Sequence, residues 1–565
     1  MKRKLQDYAR AGEKGLSAAV SRALDDLQSG DTLLLGKGIH HFYAEGTQKK
    51  YYCISNNDKG EKKIVFPISH KENITIDGEG AELIFHGEIL PFVLDQCKEV
   101  CVKNLKMDYA APMYVQAEIV HAEKNYYELQ FDKNEFNYQV KNGKIWICGK
   151  DGEWEKEFRH CLTIEMDGHQ RCPSPYKPEY ITETVTEKDH GFLSRLFRPF
   201  AYKDLGNGRL GVSGDAGFTY QSGNYWIGTF HYDRKNPGIF VNESKDIYLE
   251  NIDIFHALAM GVISQLCENI TLDCVNTRPR EGSKRFLSVC ADSTHFVNCR
   301  GKIRVQNCLF TNMLDDALNI HGIYHKIMKK TDDHTILCGV GHFQQVGIMS
   351  YRKDDRIHIV DGKTGAEKAV YTVRKSELLD EESIVLETQE VFKGYEEGDV
   401  VENLSANPEI EISDCECGNN RPRGFLLSSP KKTLVENCTF YNMYEGIHIG
   451  GGSGGWYESG SVSDITIQNN QFRNSAFAGG VAINIQPEFE QMENVKHFCN
   501  GIVIKDNLFV QAEKRLLNAY ASDQLVFENN RFRCDDTLPS HPADNLEGIK
   551  LINCERVNCR ECVCC

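Results

Sequence analysis

A right-handed parallel β-helix, carrying two small inserted β-barrels and an N-terminal capping helix, is the all-β fold the sequence predicts. Three observations predict it. A short phrase keeps returning: an apolar-polar-apolar run, then a polar residue or Asn, then a turn. Its spacing is that of a coil, with 23 residues from Ile247 to Ile270 and 24 from Leu525 to Ile549. Helical patterning is scarce. Strand-length segments at this period stack as coils of about three strands, roughly 4.8 Å apart, with apolar residues inward. The rivals are a β-sandwich and a propeller, but propeller blades repeat at about 40 residues or more.

In chain order, residues 1–110 read as the cap and the first coils. Ala18 to Leu27 is patterned as one amphipathic helix, placed to hide the exposed strand edge of the solenoid's open end. The phrase follows at Asn73–Asp77 and Glu99–Asn104. Residues 111–238 break the rhythm with alternating runs such as Val115–Val120 and Tyr126–Phe131 and a Pro-bearing loop at 173–178. Coils resume over 239–324, with copies at Asp246–Asn251, Asn269–Asp273 and Ile303. A second break, 325–403, contains Ile336–Val340, Ala369–Val373 and Ser383–Glu387. Both breaks are too regularly patterned for linkers and read as small β-barrels. The last coils, 404–565, start copies at Ile410, Leu434, Ile465, Ile502, Leu525 and Ile549.

Composition narrows the function. With 41 % hydrophobic and 26 % charged residues, the chain is neither disordered nor collagen-like. It has no apolar run of about 18 residues, so no membrane-spanning helix is expected. Its net charge of −16, without a basic block, argues against nucleic acid as a partner. The basic start, Met1–Gly15, lacks the apolar stretch of a secretory signal. Among 22 cysteines, Cys299, Cys308, Cys438 and Cys554 each follow an Asn, as if Cys were a small apolar residue at a fixed place in the coil. Reduced thiols and a cytoplasmic location are therefore expected, or a secreted or cell-surface one if a signal peptide has been removed. The tail cysteines, Cys554 and Cys559 to Cys565, are too irregularly spaced for a zinc site and read as free or capping thiols.

The densest polar constellation is Ala291-Asp292-Ser293-Thr294-His295-Phe296, followed by Leu314-Asp315-Asp316-Ala317-Leu318-Asn319-Ile320-His321-Gly322. About one coil separates its two halves, so Asp292 falls on nearly the same face as Asp315 or Asp316, one layer away. Such carboxylates suit glycosidic acid–base chemistry. Neighbouring Asp315 and Asp316 point to opposite faces of a regular strand, so both reach a groove only where the backbone kinks. The alternatives are a solvated turn with Asp292 in an Asx-turn, or a calcium site from the same acids. His295 and His321 lie close by. Asn420-Arg421-Pro422-Arg423-Gly424 and the Gly-rich run ending Trp456-Tyr457-Glu458 form two further clusters. The Gly-rich run lacks the Lys-Ser/Thr ending of a phosphate loop, while Trp456 beside Glu458 fits a sugar site or a sheltered loop. Arg278 is either a groove donor or a surface charge.

From His256 to Gly322, and again at Asn420–Gly424 and Trp456–Gly460, the sequence resembles glycoside hydrolase family 110. The resemblance implies an inverting exo-α-1,3-galactosidase on a parallel β-helix, acting on galactose-terminated oligosaccharides or glycoconjugates such as the blood group B antigen. It implies no metal and no cofactor. By carry-over, Asp292 is the general acid, and Asp315 and Asp316 hold and activate water. Arg278, His295, His321, Arg421, Arg423, Trp456 and Glu458 are the candidate substrate-binding residues. A polygalacturonase-like pectin hydrolase is the runner-up, although the Arg-Ile-Lys phrase expected for gripping uronates is missing. A non-catalytic glycan-binding β-helix is the third reading. The inserted barrels serve either as homo-oligomer interfaces or as pocket walls.

Overall fold

The computed structural model describes the chain except residues 150–153, 159–160, 176–179, 183–196, 199, 231–233, 394, 540–547, 561–562 and 565. Part of the Pro-bearing loop (176–178), Cys562 and Cys565 lie outside the described residues.

The recurring phrase is the wall of a right-handed parallel β-helix. In one long sheet Ile74, Val100, Ile247, Ile270, Ile303 and Ile410 stand in register on successive coils, followed by Thr433, Ile465, Ile502 and Leu525. Two positions differ from the sequence pattern. Thr433, not Leu434, takes the place on Ile410, because a one-residue slip would turn buried Val435 out of the core. Ile549 pairs with Leu517 in the second sheet. That sheet carries Ile239, Val262, Thr294, Leu318, Phe425, Ile447, Ile483 and Leu517 in register, all directed inward.

The core repeats with the coil. Phe440, Phe472 and Phe509 stack at 4.8 and 4.9 Å with nearly parallel rings. Asn470, Asn507 and Asn530 form a buried amide ladder, each amide donating to the oxygen of the next at 3.1 and 3.0 Å. The Asn-Cys pairs acquire a backbone reason. Asn298, Asn307, Asn437 and Asn553 have φ between +49° and +56°, a left-handed turn that Asn tolerates better than most residues. The turn directs the next residue inward: Cys299, Cys308 and Cys438 are buried, and Cys308 Sγ–H donates to the Gln306 carbonyl at 3.1 Å. The described cysteines are free thiols.

The capping helix spans Ser17–Asp26, one residue earlier at each end than its sequence pattern, within the usual fraying of helix ends. It buries Ala19, Val20, Ala23 and Leu24 over the first coil.

Between the Lys98–Tyr109 and Ile239–Asn242 strands the chain builds an eight-stranded, largely antiparallel sheet and a three-stranded one. Their shared apolar core, around Trp226, also takes in Phe286, Leu287, Cys290 and Leu314 of the coils. This insert is therefore seated on the coils that carry the Asp292 and Asp315 segments. Between Leu318–Ile323 and Glu409–Ser413, six strands from His325–Lys330 to Val400–Asn403 close into a barrel.

Candidate active site

Strands Thr294–Val297 and Leu318–Ile323 lie side by side in the second sheet, with Thr294 opposite Leu318. Phe296, Leu318 and Ile320 enter the core. Alternation then sends His295, Asn319 and His321 to the outer face. Asp292 and Asp316 each stand two residues before their strand, so the register stacks these two on adjacent coils, about 4.8 Å apart, with Ser293 N–H donating to the Asp316 carbonyl at 2.9 Å. Asp315 sits in the bend that precedes the strand. That bend lets neighbouring acids take separate partners: Asp315 pairs with Arg234 at 2.7 Å, Asp316 with Arg423 Nε at 2.9 Å.

Donor and acceptor accounting locates a proton. The Gly322 carbonyl can only accept, so His321 Nδ1, 2.7 Å away, carries hydrogen. Both imidazoles are buried and desolvated, which pushes His295 down to about 4 and lowers His321. Neutral His321 therefore presents a bare Nε2, which accepts from His295 Nε2–H at 2.8 Å. His295 Nδ1 is then bare as well, and the hydrogen in its 2.6 Å contact with Asp292 Oδ2 belongs to Asp292. Burial, reinforced by the charge of Asp315, raises Asp292 well above the usual carboxyl range and points to the same protonated acid. Burial likewise pushes Asp316 up to about 8, with Arg423 opposing and the charge of Asp315 adding to it.

Glu458 arrives from a loop whose Glu458–Ser459 segment pairs antiparallel with Gly322–Ile323. A Cβ at Gly322 would meet Ser459 Oγ, so a larger residue there would force that side chain to shift. Glu458 accepts from Asn56 Nδ2 at 2.7 Å and lies 3.4 Å from His321 Nε2. Burial pushes its carboxyl up, while the charge of Arg423 and a hydrogen bond from Asn319 act against it. The Nε2 atoms of His295 and His321 and a Glu458 oxygen lie within 4.8 Å of one another, close enough to hold a metal ion. The two nitrogens already satisfy each other through their hydrogen bond. Asn319 Oδ1 and Asn420 Oδ1 are buried acceptors without a donor among the described residues.

Asp292, Asp315, Asp316, His295, His321, Arg423 and Glu458 are thus gathered into one cluster. Arg421 borders it, its Nε donating to the Leu314 carbonyl at 3.5 Å. Trp456, 39 % exposed, lies against His342 (ring centroids 4.3 Å apart) and accepts from Gln345 through its carbonyl. Arg278 is engaged elsewhere, with Asp253 at 3.2 Å and over the Phe255 ring. Three site residues escape sequence reasoning. Asn319 stands inside the Asp315–His321 run, and its outward parity was the available signal. Arg234 and Asn56 come from distant segments without a motif, and only the folded topology delivers them.

A right-handed β-helix that carries two inserted β-units and an outward cluster of four carboxylates defines the class. The family model described as a right-handed β-helix region matches residues 378–564, and that of the GLAA-B β-barrel domain I matches 115–242. The chain is 31 % identical over 550 residues to alpha-1,3-galactosidase B of Bacteroides thetaiotaomicron, covering 95 % of this chain and 86 % of that protein. It is 31 % identical to alpha-1,3-galactosidase A of Shewanella woodyi (89 % and 80 % covered) and 31 % identical to alpha-1,3-galactosidase B of Phocaeicola vulgatus (96 % and 91 %). This chain belongs to the alpha-1,3-galactosidase family.

Proposed function

We propose that the protein is an inverting exo-α-1,3-galactosidase of glycoside hydrolase family 110, releasing terminal galactose from glycans such as the blood group B antigen. The observation that carries the mechanism is the forced protonation of Asp292, one coil away from Asp315, which is ion-paired to Arg234. An inverting glycosidase needs one protonated acid and one ionised base. Asp292 gives its proton to the glycosidic oxygen as the bond to the anomeric carbon breaks. Asp315 takes a proton from the water that attacks the opposite face of that carbon. Asp316, held by Arg423, shares and orients that water. Proton exchange with solvent then restores both acids.

The site also favours a neutral sugar over a uronate. Arg234 and Arg423 each give a donor to Asp315 and Asp316, and these carboxylates offset the positive charge that would hold a substrate carboxylate. Incubation with a nitrophenyl α-galactoside, an α-1,3-galactose-capped oligosaccharide and polygalacturonate tests the reading. Galactose should be released from the first two. Its absence from both, or hydrolysis of polygalacturonate, would overturn it.

A further inference from the structure

The tip of a hairpin normally lies on the surface. The antiparallel pair Gln48–Cys53 and Lys59–Ser69 reverses this. Its turn residues Ser55, Asn56 and Asn57 are each at most 2 % exposed. A buried turn must find partners for its polar groups, and here separate segments supply them. Gln265, on the coil strand Val262–Gln265, accepts from the Ser55 N–H at 2.9 Å. Gln344, in the second insert, accepts from the Asn56 N–H through its carbonyl at 2.9 Å. Its Nε2 donates to the Asn57 carbonyl at 2.8 Å. Arg234, where the chain returns from the first insert, places Nη1 3.5 Å from the Asn56 carbonyl.

Asn56 is where this turn meets the active-site groups. Ser55 Oγ donates to Asn56 Oδ1 at 2.8 Å, which turns the amide so that Nδ2 donates to Glu458 Oε1 at 2.7 Å. The Asn56 carbonyl faces the same guanidinium whose Nη2 donates to Asp315 at 2.7 Å. Its φ of +55° is one that Asn and Gly adopt at little cost. The other contacts of the Glu458 carboxylate among the described residues are longer. Asn319 Nδ2 lies 3.5 Å from Oε2, and His321 Nε2, 3.4 Å from Oε1, is bare and offers no hydrogen. The Asn56 amide is therefore the donor that fixes the carboxylate's rotation. With Oε1 held, Oε2 is the oxygen left to accept from sugar hydroxyls.

We propose that Asn56 is a positioning residue: its amide sets the Glu458 carboxylate in the sugar site, and Gln344 holds the turn, so that the second insert acts on the substrate through this hairpin. The inference rests on the galactosidase reading for the role of Glu458 as an acceptor of galactose hydroxyls.

Asn56→Gly isolates the amide, since glycine keeps the left-handed turn, the N–H to Gln344 and the carbonyl facing Arg234. On a nitrophenyl α-galactoside KM should rise about tenfold, the size of one lost hydrogen bond to a charged group, while kcat stays within about twofold. A merely destabilised fold lowers the active fraction, and with it kcat, at unchanged KM. In a Glu458→Ala background Asn56→Gly should cost nothing further, because its target is gone. Calorimetric binding of free galactose should follow the same pattern. Gln344→Met removes the donor to Asn57 but keeps the main-chain contact to Asn56. It should raise KM about threefold, and it decides the matter alone if Asn56→Gly does not fold. An unchanged KM, a loss confined to kcat, or an undiminished effect in the Glu458→Ala background overturns the proposal and leaves the galactosidase reading standing. A wild type that cleaves no galactoside overturns that reading. Galactose binding then decides: weakening by Asn56→Gly that vanishes in the Glu458→Ala background supports the assignment, and any other result refutes it.

Discussion

Replacing Asp292 by Asn isolates the proton from the rest of the site. The amide keeps the shape, and its Nδ2–H can donate to the bare His295 Nδ1 that Asp292 Oδ2 faces at 2.6 Å. The chain through His321 to the Gly322 carbonyl therefore survives, and so should the fold. What is lost is acid assistance to the leaving group, commonly worth about 10²–10⁴-fold. An alkoxide leaving from a sugar needs that assistance, whereas nitrophenolate leaves readily without it. Asp292→Asn should therefore lose about 10³-fold in kcat on an α-1,3-galactose-capped oligosaccharide, and far less on the nitrophenyl α-galactoside. Steady-state assays on both substrates, with melting curves to verify folding, decide the matter. Equal losses on the two substrates would refute Asp292 as the acid, because a base or a structural residue does not distinguish leaving groups.

Asp315→Asn removes water activation, so turnover should fall by about 100-fold or more on both substrates alike, and added azide should restore release as β-galactosyl azide; no azide product would argue against the base assignment. Activity should also fall on the alkaline side. Asp292 acts only while protonated, and burial raises its pKa, so its contribution is complete at low pH and disappears as pH rises through that raised value; the alkaline limb should be steep on the α-1,3-galactose-capped oligosaccharide and shallow on the nitrophenyl α-galactoside, and an equal limb on both would exclude this origin. Because the described cysteines are free, dithiothreitol should leave melting temperature and activity unchanged, and a marked loss would reveal a structural disulfide.

The β-helix was legible because coil period, inward parity and the Asn-Cys turn are local properties. Parity and turn are written within about ten residues and the period within two successive coils, and each copy reports them again. Leu434 shows where local reading slips: an apolar residue beside Thr433 looks like the inward one, yet Val435 decides the parity. The cluster was legible for a similar reason, since one coil length brings Asp292 beside the Asp315–Asp316 bend. Arg234 and Asn56 were hidden because they reach the site across 81 and 402 residues to their partners Asp315 and Glu458. No periodicity encodes those contacts, which depend on how the first insert and the antiparallel pair Gln48–Cys53 and Lys59–Ser69, whose turn carries Asn56, are seated. Arg278 illustrates the converse: its residue type suits a sugar site, but the next coil offers Asp253 first.

The proposed mechanism is a direct displacement by water, with Asp292 and Asp315 dividing the acid and base roles. Proton NMR of the anomeric region, begun within minutes of mixing enzyme with an α-1,3-galactose-capped oligosaccharide, tests it most directly. β-Galactose should appear first, and the α-anomer should grow in later by mutarotation. Initial release of α-galactose would contradict it, since that outcome requires a covalent intermediate or attack from the opposite face.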